Sequence, residues 1–202
     1  MKKGETGPMK RTLEMSAAAL LVAVVSVTLS AQRGRRSDAA SSARSVYDSD
    51  EYGMKFPVPE GLELFTPEEP GPYMTILKDR RIIYLVGASS RDVSISVRYS
   101  PGLTEADLKA SKDTLDSTPP QANLPGYKKI SVRFIRIGAG ADKEAVEYVY
   151  TVTTNNVPTT VRQIMFLHKD RGFTFICSAV EGQYAFADER LFEPIFARME
   201  FR

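Results

Sequence analysis

The sequence predicts an α+β protein: an antiparallel β-sheet covered by helices. Three features point to it. Runs of alternating apolar and polar residues recur along the chain, short polar turns separate them, and the chain closes on apolar residues at helical spacing.

The elements follow in order. Tyr52 to Pro59 reads as extended, with prolines at its end and Glu60-Gly61 as the next turn. Tyr73 to Leu77, Arg81 to Ala88 and Val93 to Tyr99 are further strands, separated by Lys78-Asp79-Arg80 and Ser89-Ser90-Arg91. Val93, Ile95 and Val97 alternate with Ser94, Ser96 and Arg98, which marks a strand buried on one face. Pro101 and Gly102 end it, and Thr104 caps a helix running to about Leu115, with Glu105 and Asp107 at the positive end of its dipole. A loop rich in Pro, Asn and Gly spans Ser117 to Gly126.

The second half is more strongly patterned. Lys129 to Ile137 is a strand, and Gly138 to Asp142 turns the chain. Glu144 to Thr153 places Val146, Tyr148, Tyr150 and Val152 on one face. Asn155-Asn156 starts a hairpin into Thr159 to Lys169, and Asp170-Arg171-Gly172 turns into Phe173 to Val180. Turns this short force antiparallel pairing. Phe192, Ile195, Phe196 and Met199 then recur at i, i+3, i+4 and i+7, the stripe of a helix lying on a sheet. Pro194 sets its start near Glu193, after a separate turn over Asp188 to Leu191.

Ahead of this domain, residues 1–31 have the parts of a secretory signal: Lys10-Arg11, an apolar run from Ala17 to Leu29, and small residues at Ser30 and Ala31. The run is shorter than the ~20 residues that span a bilayer, which favours cleavage after Ser30 or Ala31. Arg33, Arg35 and Arg36 favour the alternative, an uncleaved membrane tether through residues 15–31. Either outcome places the domain outside the cytoplasm. Residues 32–46 form a polar linker rich in Ser, Ala and Arg, and 47–202 a single α+β domain.

Tyr52-Gly53-Met54-Lys55-Phe56-Pro57-Val58-Pro59-Glu60-Gly61 resembles the opening of the PsbP/Mog1-like superfamily, including its bacterial DcrB-type members. Gly140 to Tyr148 is similar to that family's turn into a central strand, and Phe192 to Phe201 to its terminal helix. The resemblance covers roughly residues 47–202. It departs in having Glu200-Phe201 where Ser-Phe is usual, and in lacking the tryptophan common after the first turn. It implies an α/β/α sandwich and mostly non-catalytic accessory roles at membranes or multiprotein complexes.

Charge and chemistry exclude more than they nominate. Residues 1–31 carry four of the 27 basic and two of the 25 acidic side chains, so the remainder balances at 23 of each. A neutral domain lacks the general electrostatic footprint of a nucleic-acid binder. Cys177 alternates onto the face of Phe173, Phe175 and Ala179 and reads as a small buried hydrophobe. His168 ends a strand beside a turn, where an exposed or hydrogen-bonded imidazole is ordinary. One Cys and one His exclude the usual nitrogen–sulfur zinc sites. Tyr47-Asp48-Ser49-Asp50-Glu51 lacks the spacing of a calcium loop and reads as a solvated chain entry. Gly138-Ala139-Gly140-Ala141-Asp142 leads into a strand, so no helix N-terminus is present to receive a phosphate. Tyr148, Tyr150, Phe166, Phe173 and Phe175 have strand spacing and read as core.

No catalytic, cofactor-binding or metal-ligating residue is therefore nominated, and no cofactor is expected. The expected function is that of an exported, non-enzymatic accessory or binding domain with an envelope or secreted protein partner and no nucleic acid. Two alternatives stand beside it. One is a hydrolase-type enzyme with a carboxylate site assembled only by folding, and the other a membrane-tethered structural module.

Overall fold

The computed structural model describes residues 46–66, 81–87 and 92–202. The expected signal, most of the linker, the strand Tyr73 to Leu77 and the turns Lys78–Arg80 and Ser89–Arg91 lie outside these residues.

Strands β1 (Val46–Ser49), β2 (Met54–Pro57), β3 (Leu62–Phe65), β4 (Arg81–Gly87) and β5 (Val93–Pro101) precede helix α1 (Glu105–Ser117). A 3-10 turn (Pro120–Asn123) leads into β6 (Lys128–Ile137), β7 (Lys143–Thr154), β8 (Val157–His168) and β9 (Arg171–Val180). The chain ends with α2 (Glu181–Ala187), a π-helical turn (Asp188–Phe192), α3 (Glu193–Ala197) and β10 (Glu200–Phe201).

Seven strands pair antiparallel in the order β3-β4-β5-β9-β8-β7-β6, and three short ones form a second sheet, β1-β2-β10. This is the expected α+β architecture. Alternation along the central strands gives the large sheet two apolar faces. On one, Ile164, Phe166, Phe173, Phe175 and Cys177 meet Met54 and Phe56 of the small sheet and Phe192, Ile195, Phe196 and Met199 of the C-terminal segment. Phe175 is the hub, with ring centroids 5.7 Å from Phe56 and 5.4 Å from Phe196. On the other, Val146, Tyr148, Tyr150, Val152, Val161 and Ile176 pack with Leu115 of α1. Each large side chain so buried contributes roughly 1.5–3 kcal/mol.

The expected elements in 93–180 appear with small shifts. α1 is held at its start by a capping box: the Asp107 amide donates to Thr104 Oγ1, and the Thr104 amide donates to Asp107. The β7–β8 loop is Asn155-Asn156, both at positive φ, as a two-residue turn of this hand requires.

Five expectations need correction. The β8–β9 turn is Lys169-Asp170, at φ 48° and 58°, and Gly172 lies within β9. A Cβ there would stand 2.3 Å from Leu103 Cδ1, so the exposed Leu103 side chain would have to move to admit one. Val46–Ser49 is a strand, because Tyr47 buries its ring on Phe56, so Val46 belongs to the fold and not to the expected linker, while Asp48, Asp50 and Glu51 are exposed as expected of a solvated chain entry. Leu62–Phe65 adds a strand after the expected Glu60-Gly61 turn, where no element was expected; it is short, and its pairing with β4 is a tertiary contact. The terminal helix starts at Glu193 after a separate turn, as expected, but it ends at Ala197, so Met199 lies beyond it, and a further helix, Glu181–Ala187, precedes the turn where none was expected. Pro194 has no amide proton to continue an α-helical ladder, and the preceding turn widens so that the Glu193 amide donates to the Asp188 carbonyl. Finally, His168 is 8% exposed, and its Nε2 has no hydrogen-bond partner among the described residues. Phe201 and the backbone of Gly53 close over the ring, contacts between strands far apart in sequence.

Candidate binding site

The β6–β7 turn anchors the site. The Gly138 amide donates to the Phe196 carbonyl and the Ala139 amide to the Met199 carbonyl, each at 2.8 Å, while the Ala141 amide returns to the Gly138 carbonyl at 2.9 Å. These donors tie the turn to the C-terminal segment instead of facing outward, so the glycine-rich stretch is structural. Gly138, at φ 96°, has no room for a Cβ, which would lie 2.7 Å from Asp142 Oδ1.

Beside the turn, β7 and β8 carry opposite charges into the apolar layer. Arg162 Nε donates to Glu147 Oε1 at 2.9 Å, and Arg162 Nη1 donates to Asp188 Oδ1 at 2.8 Å and to Glu193 Oε2 at 2.9 Å. Arg133 Nε donates to the other oxygen of Glu147. The π turn explains the clasp: its i→i+5 hydrogen bond stacks Asp188 and Glu193 on one side, both reaching the same guanidinium nitrogen. Burial works against the charge on Arg162, but the carboxylates of Asp188, Glu193 and Glu147 outweigh it and hold its proton above the ordinary arginine range. On the opposite face, the Tyr148 hydroxyl donates to Tyr127 Oη at 2.9 Å, and Gln163 Nε2 donates to Tyr150 Oη at 2.9 Å.

Two cavities flank the β6 end of the sheet. One, of about 630 Å³, opens between α1 and the β6–β7 edge, with Glu105, Lys109, Phe134, Arg136, Lys143 and Glu144 in its walls. The other, of about 420 Å³, lies against Arg162, Glu193, Phe196 and the Gly138–Ala141 turn. Arg136 lines both. The larger offers cations and carboxylates side by side around an aromatic ring, a surface suited to a polar chain with an apolar side chain.

The other residues singled out in the sequence are occupied structurally. Cys177 is fully buried, and burial pushes its thiol well up, against thiolate formation. Asp48 and Asp50 receive the two terminal nitrogens of Arg202 at 2.8 and 2.9 Å. Tyr148, Tyr150, Phe166, Phe173 and Phe175 are core side chains. Among the described residues, no group of three His, Cys, Asp or Glu is arranged to hold a metal ion, and no helix is long and apolar enough to cross a membrane.

Sequence reading missed the Arg162 cluster and the basic face of β6. The signal was present: Glu147 and Arg162 interrupt apolar strands of adjacent hairpin arms with opposite charges. Lys128, Lys129, Arg133 and Arg136 lie in one strand that has no acidic residue.

Solved structures share this fold. The chain is similar to cyanobacterial PsbP (CyanoP) from Synechocystis sp. PCC 6803, at 16% identity and a TM-score of 0.55 over 84% of this chain and 98% of that one. It is also similar to LpqN of Mycobacterium tuberculosis, described as involved in cell envelope biogenesis, at 15% identity and a TM-score of 0.50 over 72% and 81%. A Bacteroides thetaiotaomicron protein matches at 11% identity and a TM-score of 0.54, over 78% of this chain and 48% of its own. No family model and no curated protein sequence matches the chain. The PsbP/Mog1-like fold implied by the sequence resemblance is the fold observed.

Proposed function

We propose that this chain is an extracytoplasmic, non-enzymatic accessory domain that works by binding a protein partner of the cell envelope. The observation that carries the reading is how the charges on this side of the molecule are used. Arg162, Glu147, Asp188 and Glu193 pair with one another and fasten the C-terminal segment to the sheet, while the larger cavity is lined by both cations and carboxylates. The first arrangement stabilises, and the second offers a contact surface. The signal-like residues 1–31 and the envelope role described for LpqN support the location.

The carboxylate-enzyme alternative would need free acids converging on a cavity. Glu193 at the smaller cavity is committed to Arg162 Nη1, and Glu105, Asp142 and Glu144 at the larger one stand among Lys109, Arg136 and Lys143. Proximity labelling from the tagged full chain should recover a reproducible envelope neighbour, and N-terminal sequencing of the accumulated protein should begin at Ala31 or Gln32. No reproducible neighbour would remove the binding reading. A chain still starting at Met1 or Lys2 would replace cleavage by tethering.

A further inference from the structure

β6 is the last strand of the seven-stranded sheet, and among the described residues it pairs only with β7. Beyond the irregularity between Lys129 and Ser131, its register with β7 is regular from Ser131 to Ile137, leaving one row of backbone donors and acceptors facing outward. Lys128, Lys129 and the irregularity beside them guard the start of this edge, but the rest of it keeps apolar surface open to contact. Phe134 is 37% and Ile130 55% exposed, and Phe134 forms a wall of the larger cavity.

The strand holds four cations and no acid. Lys129 is paired with Asp116 and Arg133 with Glu147, whereas Arg136 gives Nη1 to the backbone carbonyl of Asp142, stands opposite Glu144 in the ladder and forms no ion pair among the described residues. Facing pairs in the register put Phe134 and Arg136 on the α1 side of the sheet and Arg133 on the other.

We infer that the outer edge of β6, over Ser131 to Ile137, accepts an extended acidic peptide segment of a partner protein as an added strand. The inference rests on the binding-module reading and names its partner chemistry. An antiparallel peptide would set one acid against Arg133, an apolar residue against Phe134 beside the cavity, and a second acid against Arg136, in the order acid, any residue, apolar, acid. Main-chain hydrogen bonds would supply affinity and these side chains the selectivity. A second copy of this chain fits poorly, because pairing β6 with its own edge would bring together two strands whose charged side chains are all cations.

The test is fluorescence anisotropy of the full chain with a labelled Thr/Val-rich decapeptide carrying that order. Saturable binding should weaken roughly tenfold or more in Arg136→Glu and in Phe134→Ser, with an unchanged circular-dichroism spectrum. Two further peptides, N-methylated on alternate amides in opposite phase, should separate, one losing binding and the other keeping it. Equal behaviour of the two, or absence of saturation at millimolar peptide, overturns the added strand. So does equal competition by a single-stranded oligonucleotide, which would make the attraction one of charge alone. A Phe134→Cys chain that cross-links to itself and excludes the peptide gives the edge to a second copy. A labelled envelope neighbour with a silent β6 removes this inference and leaves the binding reading standing.

Discussion

His168 is a polar residue placed where polar groups are costly. Its imidazole lies 5.2 Å from the Phe201 ring, and the backbone of Gly53 is close beside Nε2. Burial, followed by the ammonium groups of Lys143 and Lys169, lowers its pKa from the ordinary 6.5, while the backbone of Gly53 and Arg202 acts in the opposite direction. The unfolded chain therefore takes up this proton at a higher pH than the folded one. Stability contributed by the neutral ring is complete above about pH 6.5 and falls as pH drops through the folded value. His168→Phe should flatten the stability profile between about pH 7 and pH 5, measured by urea unfolding at each pH. An unchanged slope would assign the proton uptake to another group.

Among the elements, the π turn and β8 depend on each other through Arg162. Removing the guanidinium strands Glu147, whose side chain is 2% exposed, with Arg133 alone. Arg162→Leu should cost about 3–5 kcal/mol, as the loss of one partner from a buried ion pair does. Glu147→Leu combined with it should cost much less than the two single changes added, because no buried charge is then left unpaired. Additive losses in denaturant unfolding would show that the cluster is held by packing instead. The same pair marks the limit of what the sequence discloses. Strand alternation in Glu144 to Thr153 and the Asn155-Asn156 turn are local signals, and both read correctly. The helix Glu181–Ala187 is not legible, because Gly182 argues against it locally and only tertiary burial of Ala187 sustains it. Glu147 and Arg162 lie 15 residues apart on facing strands, and their alignment with Asp188 and Glu193 needs the π turn that no local pattern announces. The basic row of β6 is plain as composition, but its value as a site comes from its place at the end of the strand order, a property of topology.

For the whole molecule, the two apolar layers are unequal. The layer beneath the C-terminal segment joins residues from β2, from the central strands of the large sheet and from α3, so opening it exposes Phe56, Phe166, Phe175, Phe192 and Phe196 together. The layer beneath α1 rests on a helix whose buried residue is Leu115, with Leu108 partly buried beside it. The loop joining α1 to β6 is itself pinned to β7, the Thr153 amide donating to the Pro125 carbonyl at 2.7 Å, so the helix can lift while β7, β8 and β9 stay paired. Native-state hydrogen exchange should therefore show two levels. Amides of Glu105–Ser117 should open at a lower free energy than those of β7–β9, which should exchange only with global unfolding. Leu115→Ala should speed exchange in α1 with little effect on β9, whereas Phe192→Ala should lower the global level by about 3–5 kcal/mol. If α1 and β8 amides exchange at one free energy and respond equally to both changes, the sheet and its two covers form one cooperative unit.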